Sequence, residues 1–538
     1  MKPGTRAGTR AGTAHPAGPE QSPQQIAAAL EEFLAEHPGA LLLEEGKPLF
    51  DMRSAKYTLT TEHGRCSLHL WSDERNLVRR VAEASPRKGM LRLSTMRFGQ
   101  SKPQMLELVA DKDRRTPSTR EATRLKYLRR IEVVLLNHFP DWQPDAFRTS
   151  MDLERSFGPA YARGILTKGQ QAWAAIGVNQ EETQATVDGI LTLGILWLAQ
   201  CRENAGGRRL FQGLRIVVPV GMEALTLSRL PWLNSAAAQW ELLTLDEETG
   251  TLTPRDPNHQ GNLLTRLPHA PNVSAANARF AESAGRVMSL VPPTMRDAVE
   301  SRIRSGTEMA FLLHGLEFAR VRMGSAANSF NRTLEISFGA GANETPLTDE
   351  NEAELRELVQ RLFARRTAAG SHRDPLYRLQ PERWLEGVLR RDLTPLDDHL
   401  DPGHVYTQVP AFAASDRGML DLLSVTTEGR LAVIELKAEE DLHLALQGLD
   451  YWVRVRAHHL EAPDPTTGLG DLQRNGYFGG IRLAPAPPLL YLVAPALRVH
   501  PATETVLRHL SPRVEWTLVA IDERWRQKVK VIWRKRSG

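Results

Sequence analysis

Apolar positions recur along this chain in two rhythms, alternation and a three-to-four-residue spacing, and the points where one gives way to the other mark its elements. Over "IAAALEEFLAEHP" (26–38) the spacing predicts a helix. "KYTLTTEHGRCSLHLWSD" alternates on both sides of a His-Gly turn and predicts a hairpin, and "GMLRLSTMRFG" predicts a further strand. A long helix is expected over "TPSTREATRLKYLRRIEVVLLNHF", where Ser118 and Glu121 stand in capping-box spacing. The apolar run "GILTLGILWLAQC" (189–201) is too short to span a bilayer and reads as a buried helix. "QWELLTLDEETGTLTPRD" predicts a hairpin, "EMAFLLHGLEFARVRM" and "RTLEISFG" predict strands, and "TDENEAELRELVQRLFARR" (348–366) predicts an amphipathic helix capped by Thr348.

The pattern is densest near the C-terminus. Pro381 opens a helix whose Trp384, Leu385, Val388 and Leu389 form an apolar stripe. "HVYTQV" (404–409) is a strand, and "GMLDLLSVT" and "RLAVIELKA" are two more, joined by "TEGR" with Gly429 at the turn. A helix over "DLHLALQGLDYWVRVRAHH" follows, then strands "PLLYLVAP" and "VEWTLVAI" with a helix between them. These elements divide the chain into a Gly/Pro-rich disordered tail (1–25), an α+β meander (26–114), an α/β segment (115–255), an α+β connecting region (256–370) and a C-terminal α/β domain (371–538) set off by "TAAGSHRDP".

Three charges interrupt the hairpin "DLLSVTTEGRLAVIELK" (421–437): Asp421 at its start, Glu435 and Lys437 near its end. Charged groups seldom enter a core without a partner or a metal. Alternation puts Glu435 and Lys437 on one face, and the short turn returns Asp421 to within about one rung of Glu435. Neighbouring carboxylates stay ionised together only with a cation between them, and oxygen ligands with room for water suit Mg²⁺ or Mn²⁺. Lys437 can then orient or deprotonate a water, an arrangement suited to phosphodiester hydrolysis.

The helix carrying Glu382 and Glu386, then Asp421, Glu435-Leu436-Lys437 and Gln447-x-x-x-Tyr451, resembles the PD-(D/E)XK nuclease superfamily over residues 374–538. The Gln-x-x-x-Tyr element is similar to that of its RecB-type and NucS-type branches. The resemblance implies a restriction-endonuclease-like αβββαβ core and a Mg²⁺- or Mn²⁺-dependent endo- or exonuclease acting on nucleic acid, DNA before RNA, in repair, restriction or defence. It implies that Asp421 and Glu435 ligate the metal, that Lys437 serves the nucleophilic water, and that Gln447 and Tyr451 support the site or touch the nucleic-acid backbone. The family's helical glutamate maps to Glu382 or Glu386, with Glu382 preferred. The alternative is a catalytically silent nucleic-acid-binding or scaffold protein with the same fold.

A repeat also emerges. "RRIEVVLLNHFPDW" (129–142) parallels "RWLEGVLRRDLTPL" (383–396), "ARGIL" (162–166) parallels "DRGML" (416–420), and "LRIVVP" and "QWELL" parallel "LLYLVAP" and "EWTLV". Residues 115–255 then read either as a degenerate copy or as an α/β segment that shares only a generic helix–strand rhythm with the last domain. In such a copy Thr167 stands for Asp421, positions at about Gly177 and Asn179 for Glu435 and Lys437, and Leu193 and Trp197 for Gln447 and Tyr451, leaving no metal ligands.

Composition adds little. The 538 residues carry a net charge of only +4, so partners must be read from local patches. One such patch is "ERWRQKVKVIWRKRSG", where Arg526, Lys528, Lys530 and Arg534 lie among tryptophans and suit either a phosphate backbone or a solubilising strand edge and tail. The charges of Arg120, Arg124, Lys126, Arg129 and Arg130 read as a solvated helix face, and His443, His458 and His459 as surface or packing residues. Two cysteines, Cys66 and Cys201, fit a reducing cytoplasm, and no membrane span is expected. A homo-oligomer or a regulatory partner is compatible with all of this.

Overall fold

The computed structural model describes residues 21–538 except 45–46, 53–54, 62–63, 72–75, 88, 97–103, 111–116, 153–155, 262, 264–266, 326–331, 340–343, 411–418, 462 and 465. Residues 1–20 of the expected tail lie outside the described residues, but its last part is ordered. Ser22 caps the helix Pro23–Glu36, accepting from the Gln25 N–H while the Gln25 side chain accepts from the Ser22 N–H. Two compact units follow: residues 1–119 with 342–345, and residues 120–341 with 346–538. In the first, seven strands between Leu41 and Val109 form an antiparallel sheet. Leu68, Leu70, Leu91, Leu93, Leu106 and Leu108 share a buried cluster with Leu30 and Leu34 of the helix.

The second unit contains two six-stranded sheets. The first follows helix α1 (Pro117–His138) and runs β1 (Gln143–Arg148), β2 (Tyr161–Lys168), β3 (Gln171–Val178), β4 (Leu210–Pro219), β5 (Gln239–Asp246) and β6 (Thr251–Arg255) in spatial order. Helix α2 (Ile190–Ala205) connects β3 to β4, and α3 (Ala224–Arg229) connects β4 to β5. Helix α4 (Pro381–Arg391) precedes the second sheet, β7 (Tyr406–Pro410), β8 (Met419–Val425), β9 (Leu431–Leu436), β10 (Leu489–Pro495), β11 (Trp516–Ile521) and β12 (Val531–Arg536), with α5 (Leu444–Leu460) and α6 (Thr503–Arg508) as crossovers. In both sheets the first three strands are antiparallel, the third to fifth parallel, and the last antiparallel. Apolar crossovers are what such parallel pairs require, since a hairpin turn cannot join them.

The two sheets also match in detail. Leu214 pairs with Trp240 as Leu490 pairs with Trp516, and Pro219 with Leu245 as Pro495 with Ile521. A Cβ on Gly194 of α2 would meet Leu214 and Ile176; on Gly448 of α5 it would meet Leu492, Leu490 and the Cβ of Glu435. Each glycine thus lets its helix settle onto the equivalent point of its sheet. The contacts between the halves are reciprocal: α3 packs on α5, and α6 packs on α2. Between them Leu233 and Leu510, which close matching Leu-x-x-Leu segments, form an isolated antiparallel bridge. Asn234 N–H donates to His509 O at 2.8 Å and Ser511 N–H to Trp232 O at 2.7 Å, each bond the mate of the other. This is a pseudo-two-fold, and one apolar cluster runs through both halves.

An antiparallel sheet including Val299–Ser305, Glu308–Leu313, Leu316–Ser325 and Arg332–Phe338 buttresses α4. Its His314 ring stacks on Trp384 at 4.8 Å. Gly315 has φ +75°, and a Cβ there would lie 2.0 Å from Arg383 O. Three local expectations need correction. Helix α1 starts at Pro117, so Ser118 lies inside its first turn. The helix expected from 348 runs Glu352–Arg365, and Thr348 is not its cap: the Thr348 N–H donates to Asn351 Oδ1. The expected linker "TAAGSHRDP" is a packed turn, because buried Arg366 donates to the carbonyls of His314, Leu376 and Leu379.

Candidate metal-dependent active site

Pairing of Leu422 with Ile434 sets Asp421 opposite Glu435 on the next rung of β8–β9. Leu422, Ala432, Ile434 and Leu436 pack with Trp384, while Leu423, Val425, Leu431 and Val433 join the cluster that contains α5. Asp421, Glu435 and Lys437 therefore share the face covered by α5. Asp421 Oδ2 accepts from the Leu436 N–H at 3.0 Å. Glu435 is 3% exposed, and its Oε2 has no hydrogen-bond partner. Lys437 Nζ stands 3.5 Å from Glu435, 3.9 Å from Glu382 and 3.4 Å from Asp441.

The electrostatics follow from burial and crowding. Burial, with the Glu382 charge added, pushes Asp421 up to about 7 against the pull of the Leu436 N–H. Burial and then Asp421 raise Glu435 well above the carboxylate range, and burial raises Glu382. Burial works against the Lys437 cation, but Glu435, Glu382 and Asp441 outweigh it and hold its pKa up. A deep pair of carboxylates with an orphan oxygen is a poor resting arrangement for a purely structural strand. It fits a hard cation: Asp421 and Glu435 offer the oxygens, and Lys437 partly fills the charge requirement.

The structure brings Glu382, Asp421, Glu435 and Lys437 together. Glu386 is elsewhere engaged: 1% exposed, it accepts from Arg302 at 2.7 Å, Arg383 at 2.9 Å and Gln408 at 2.7 Å. Gln447 and Tyr451 lie on α5 beside Gly448; the Gln447 Oε1 is buried without a hydrogen-bond partner, and Tyr451 packs at the cluster edge. Sequence reasoning missed Asp441, which a bend after β9, not a helical turn, brings back to Lys437, so its spacing carried no signal.

The basic C-terminal patch is only partly what was expected. Lys528 and Lys530 are exposed. The Arg526 guanidinium instead lies over Trp525, Tyr377 and Trp384 at 4.2, 4.6 and 5.1 Å. Arg534 donates to Leu396 O at 3.0 Å and Pro395 O at 2.9 Å. Both arginines therefore also hold tertiary structure. His458 is bonded to Asp471, His459 to Ala484 O and His443 to Thr192, all as packing residues.

Strand register revises the residues that stand for the site in the first half. Ile176 pairs with Ile216 as Glu435 pairs with Leu492, and Ile176 faces Arg163 on β2. The mates of Asp421, Glu435 and Lys437 are therefore Arg163, Ile176 and Val178, not Thr167, Gly177 and Asn179. Leu193 and Trp197 do hold the positions of Gln447 and Tyr451, since Gly194 matches Gly448. Arg163 is 1% exposed, donates to Ser150 O and lies 4.5 Å from the centre of the Phe157 ring. Burial lowers its pKa to about 10, which leaves it a cation at neutral pH.

Among the described residues, one group of three has ligand atoms all within 4.8 Å: Asp397, Asp398 and His399. His399 Nδ1 stands 3.0 Å from an oxygen of each carboxylate, so this nitrogen already engages them, and Asp397 also accepts from the Tyr491 hydroxyl. Asp421, Glu435 and Glu382 are not drawn so close. Cys66 and Cys201 are buried free thiols. Among the described residues no helix is long and apolar enough to cross a membrane. No protein-family model matches the chain, and no curated protein or solved structure matches it either.

Proposed function

We propose that the chain is a metal-dependent nuclease whose C-terminal half hydrolyses phosphodiester bonds, with DNA the favoured substrate. The observation that carries this reading is the Asp421–Glu435 rung, half-buried at Asp421 and buried at Glu435, with Lys437 beside it and the Glu435 Oε2 unpartnered. The order α4, β7–β9, α5, β10 supports a restriction-endonuclease-like αβββαβ core.

Asp421 and Glu435 would hold Mg²⁺ or Mn²⁺, which when bound supplies positive charge at the scissile phosphate and makes a coordinated water more acidic. Lys437, kept protonated by its carboxylate neighbours, acts as a fixed cation that orients the water and offsets charge growing on the phosphoryl oxygens. Glu382 holds the Lys437 ammonium from α4, and Glu386 with Arg302 fixes that helix. Gln447 on α5 has a spare buried acceptor.

The second reading is a silent nucleic-acid-binding or scaffold protein. It is favoured by one observation: Lys437 already lies among Glu435, Glu382 and Asp441 as an internal counter-ion. The deciding experiment is cleavage of labelled single- and double-stranded DNA and RNA with Mg²⁺ or Mn²⁺, using the wild type, Asp421→Ala and Lys437→Ala. Metal-dependent cutting that both substitutions abolish is expected. No cutting by the wild type, with nucleic-acid binding intact, overturns the nuclease reading in favour of the silent binder.

A further inference from the structure

We infer that the chain is a fused pseudo-dimer with one hydrolytic copy and one retired copy, and that it therefore cuts a single strand of a duplex in each binding event. The inference rests on the nuclease reading of Asp421, Glu435 and Lys437.

Its first support is the pseudo-two-fold. The reciprocal helix contacts and the Asn234–His509 and Trp232–Ser511 bond pair relate the halves as the protomers of a symmetric dimer are related. A duplex has antiparallel strands related by two-folds across its axis, so a two-fold protein can address one strand with each half. The second support is where the two site positions fall. Both lie at the C-terminal ends of the third strands and just before the crossover helices. The starts of those helices meet: His443 Nδ1 is 3.1 Å from Thr192 Oγ1, and a Cβ on Gly189 would lie 3.0 Å from His443 Cε1. Ser156 of the first half reaches His500 of the second at 3.1 Å, and His500 stands 3.9 Å from Glu440, three residues beyond Lys437. Live and retired positions thus flank the pseudo-axis at the same end of the unit.

The third support is chemical. On the rung that carries Asp421 and Glu435 in one half, the other half carries Arg163 and Ile176, and Val178 replaces Lys437. A buried guanidinium repels a divalent cation and supplies no oxygen ligand. Only one strand can meet a hydrolytic centre unless the complex dissociates and rebinds, or a second chain is recruited.

The test is a time course on supercoiled plasmid with Mn²⁺ and the full-length chain in excess, with Asp421→Ala as control. The expected result is that supercoiled DNA converts to the open circle before linear product appears, with both products lost in the control. Linear product formed in step with the open circle, whether by one chain or by chains that associate, overturns the inference and leaves the nuclease reading standing. Cutting confined to single-stranded DNA also overturns it, because the retired half then has no second strand to leave intact. No cutting of any nucleic acid overturns the nuclease reading and this inference with it.

Discussion

The ion pair Arg229–Asp450 joins α3 of the first half to α5 of the second, and it offers a measurable test of how the halves are held. Nε donates to Oδ1 and Nη2 to Oδ2, both at 2.7 Å, while Nη1 donates to Asp188 O at 2.6 Å. The side chains are 5% and 9% exposed, so water cannot replace a lost partner. By position, the pseudo-symmetry mates of these residues are Val506 and Leu196, both within or against the apolar cluster. The fold therefore contains an apolar version of the same contact. Removing one member of such a pair leaves the other charge buried and costs about 3–5 kcal/mol, whereas replacing both by apolar groups of similar volume is often close to neutral. Arg229→Met and Asp450→Leu should each lower stability by about 3–5 kcal/mol, and the double variant by far less, a coupling of about 2–3 kcal/mol or more. Urea unfolding followed by tryptophan emission suits the purpose, because Trp232 and Trp452 meet across this interface with ring centres 4.8 Å apart. Single variants that cost less than about 1 kcal/mol, as an exposed pair would, refute the reasoning. So does simple additivity.

Other outcomes are equally specific. Because Asp421 is raised in the folded state, its contribution is full below about pH 4 and is lost as pH rises through about 7. The distance from 3.8 to about 7 corresponds to at most about 4 kcal/mol, and the part of Asp421 open to water reduces it to about 2 kcal/mol. Without metal, melting of the wild type should fall between about pH 4 and pH 7, and Asp421→Asn should flatten that fall; identical profiles would exclude the Asp421 carboxyl as its source. Gly315→Ala combines φ +75° with a Cβ 2.0 Å from Arg383 O and should cost about 2–4 kcal/mol in thermal melts, a neutral result counting against the buttress under α4. Gly448→Ala and Gly194→Ala, whose Cβ atoms would stand 2.4 Å from Leu492 and 2.7 Å from Leu214, should each cost about 1–3 kcal/mol, and a stabilising effect of either would contradict the close helix–sheet contact.

The C-terminal hairpin was legible because its information is local. Alternation alone separates Glu435 and Lys437 from Ile434 and Leu436, and Gly429 at φ +86° sits where a short turn needs it. The placement of the repeat in register was not legible. A constant offset aligned Thr167 with Asp421, but the offset changes between hairpin and helix. The chain takes eleven residues from Val178 to Ile190 and six from Lys437 to Leu444, and only the pairing of strands reveals it. Glu386 and Arg526 illustrate a different limit. Both look available in sequence, and both are claimed by partners far away, Arg302 in one case and Tyr377 with Trp384 in the other. Thr348 misled because a good capping residue stood one turn too early, and Asn351 turned back to it instead.

The single apolar cluster that runs through both halves separates two kinds of constraint on this chain. Some packing positions keep the same identity in each half, Leu233 with Leu510 at the seam and Gly194 with Gly448 where each crossover helix meets its own sheet. The site positions differ entirely, Arg163 against Asp421 and Ile176 against Glu435. A change of side chains at these positions therefore need not loosen the molecule, while loss of the first half itself would strip the cover from α5 and α6. On the proposed reading the first half is dispensable as a catalyst and obligatory as a surface.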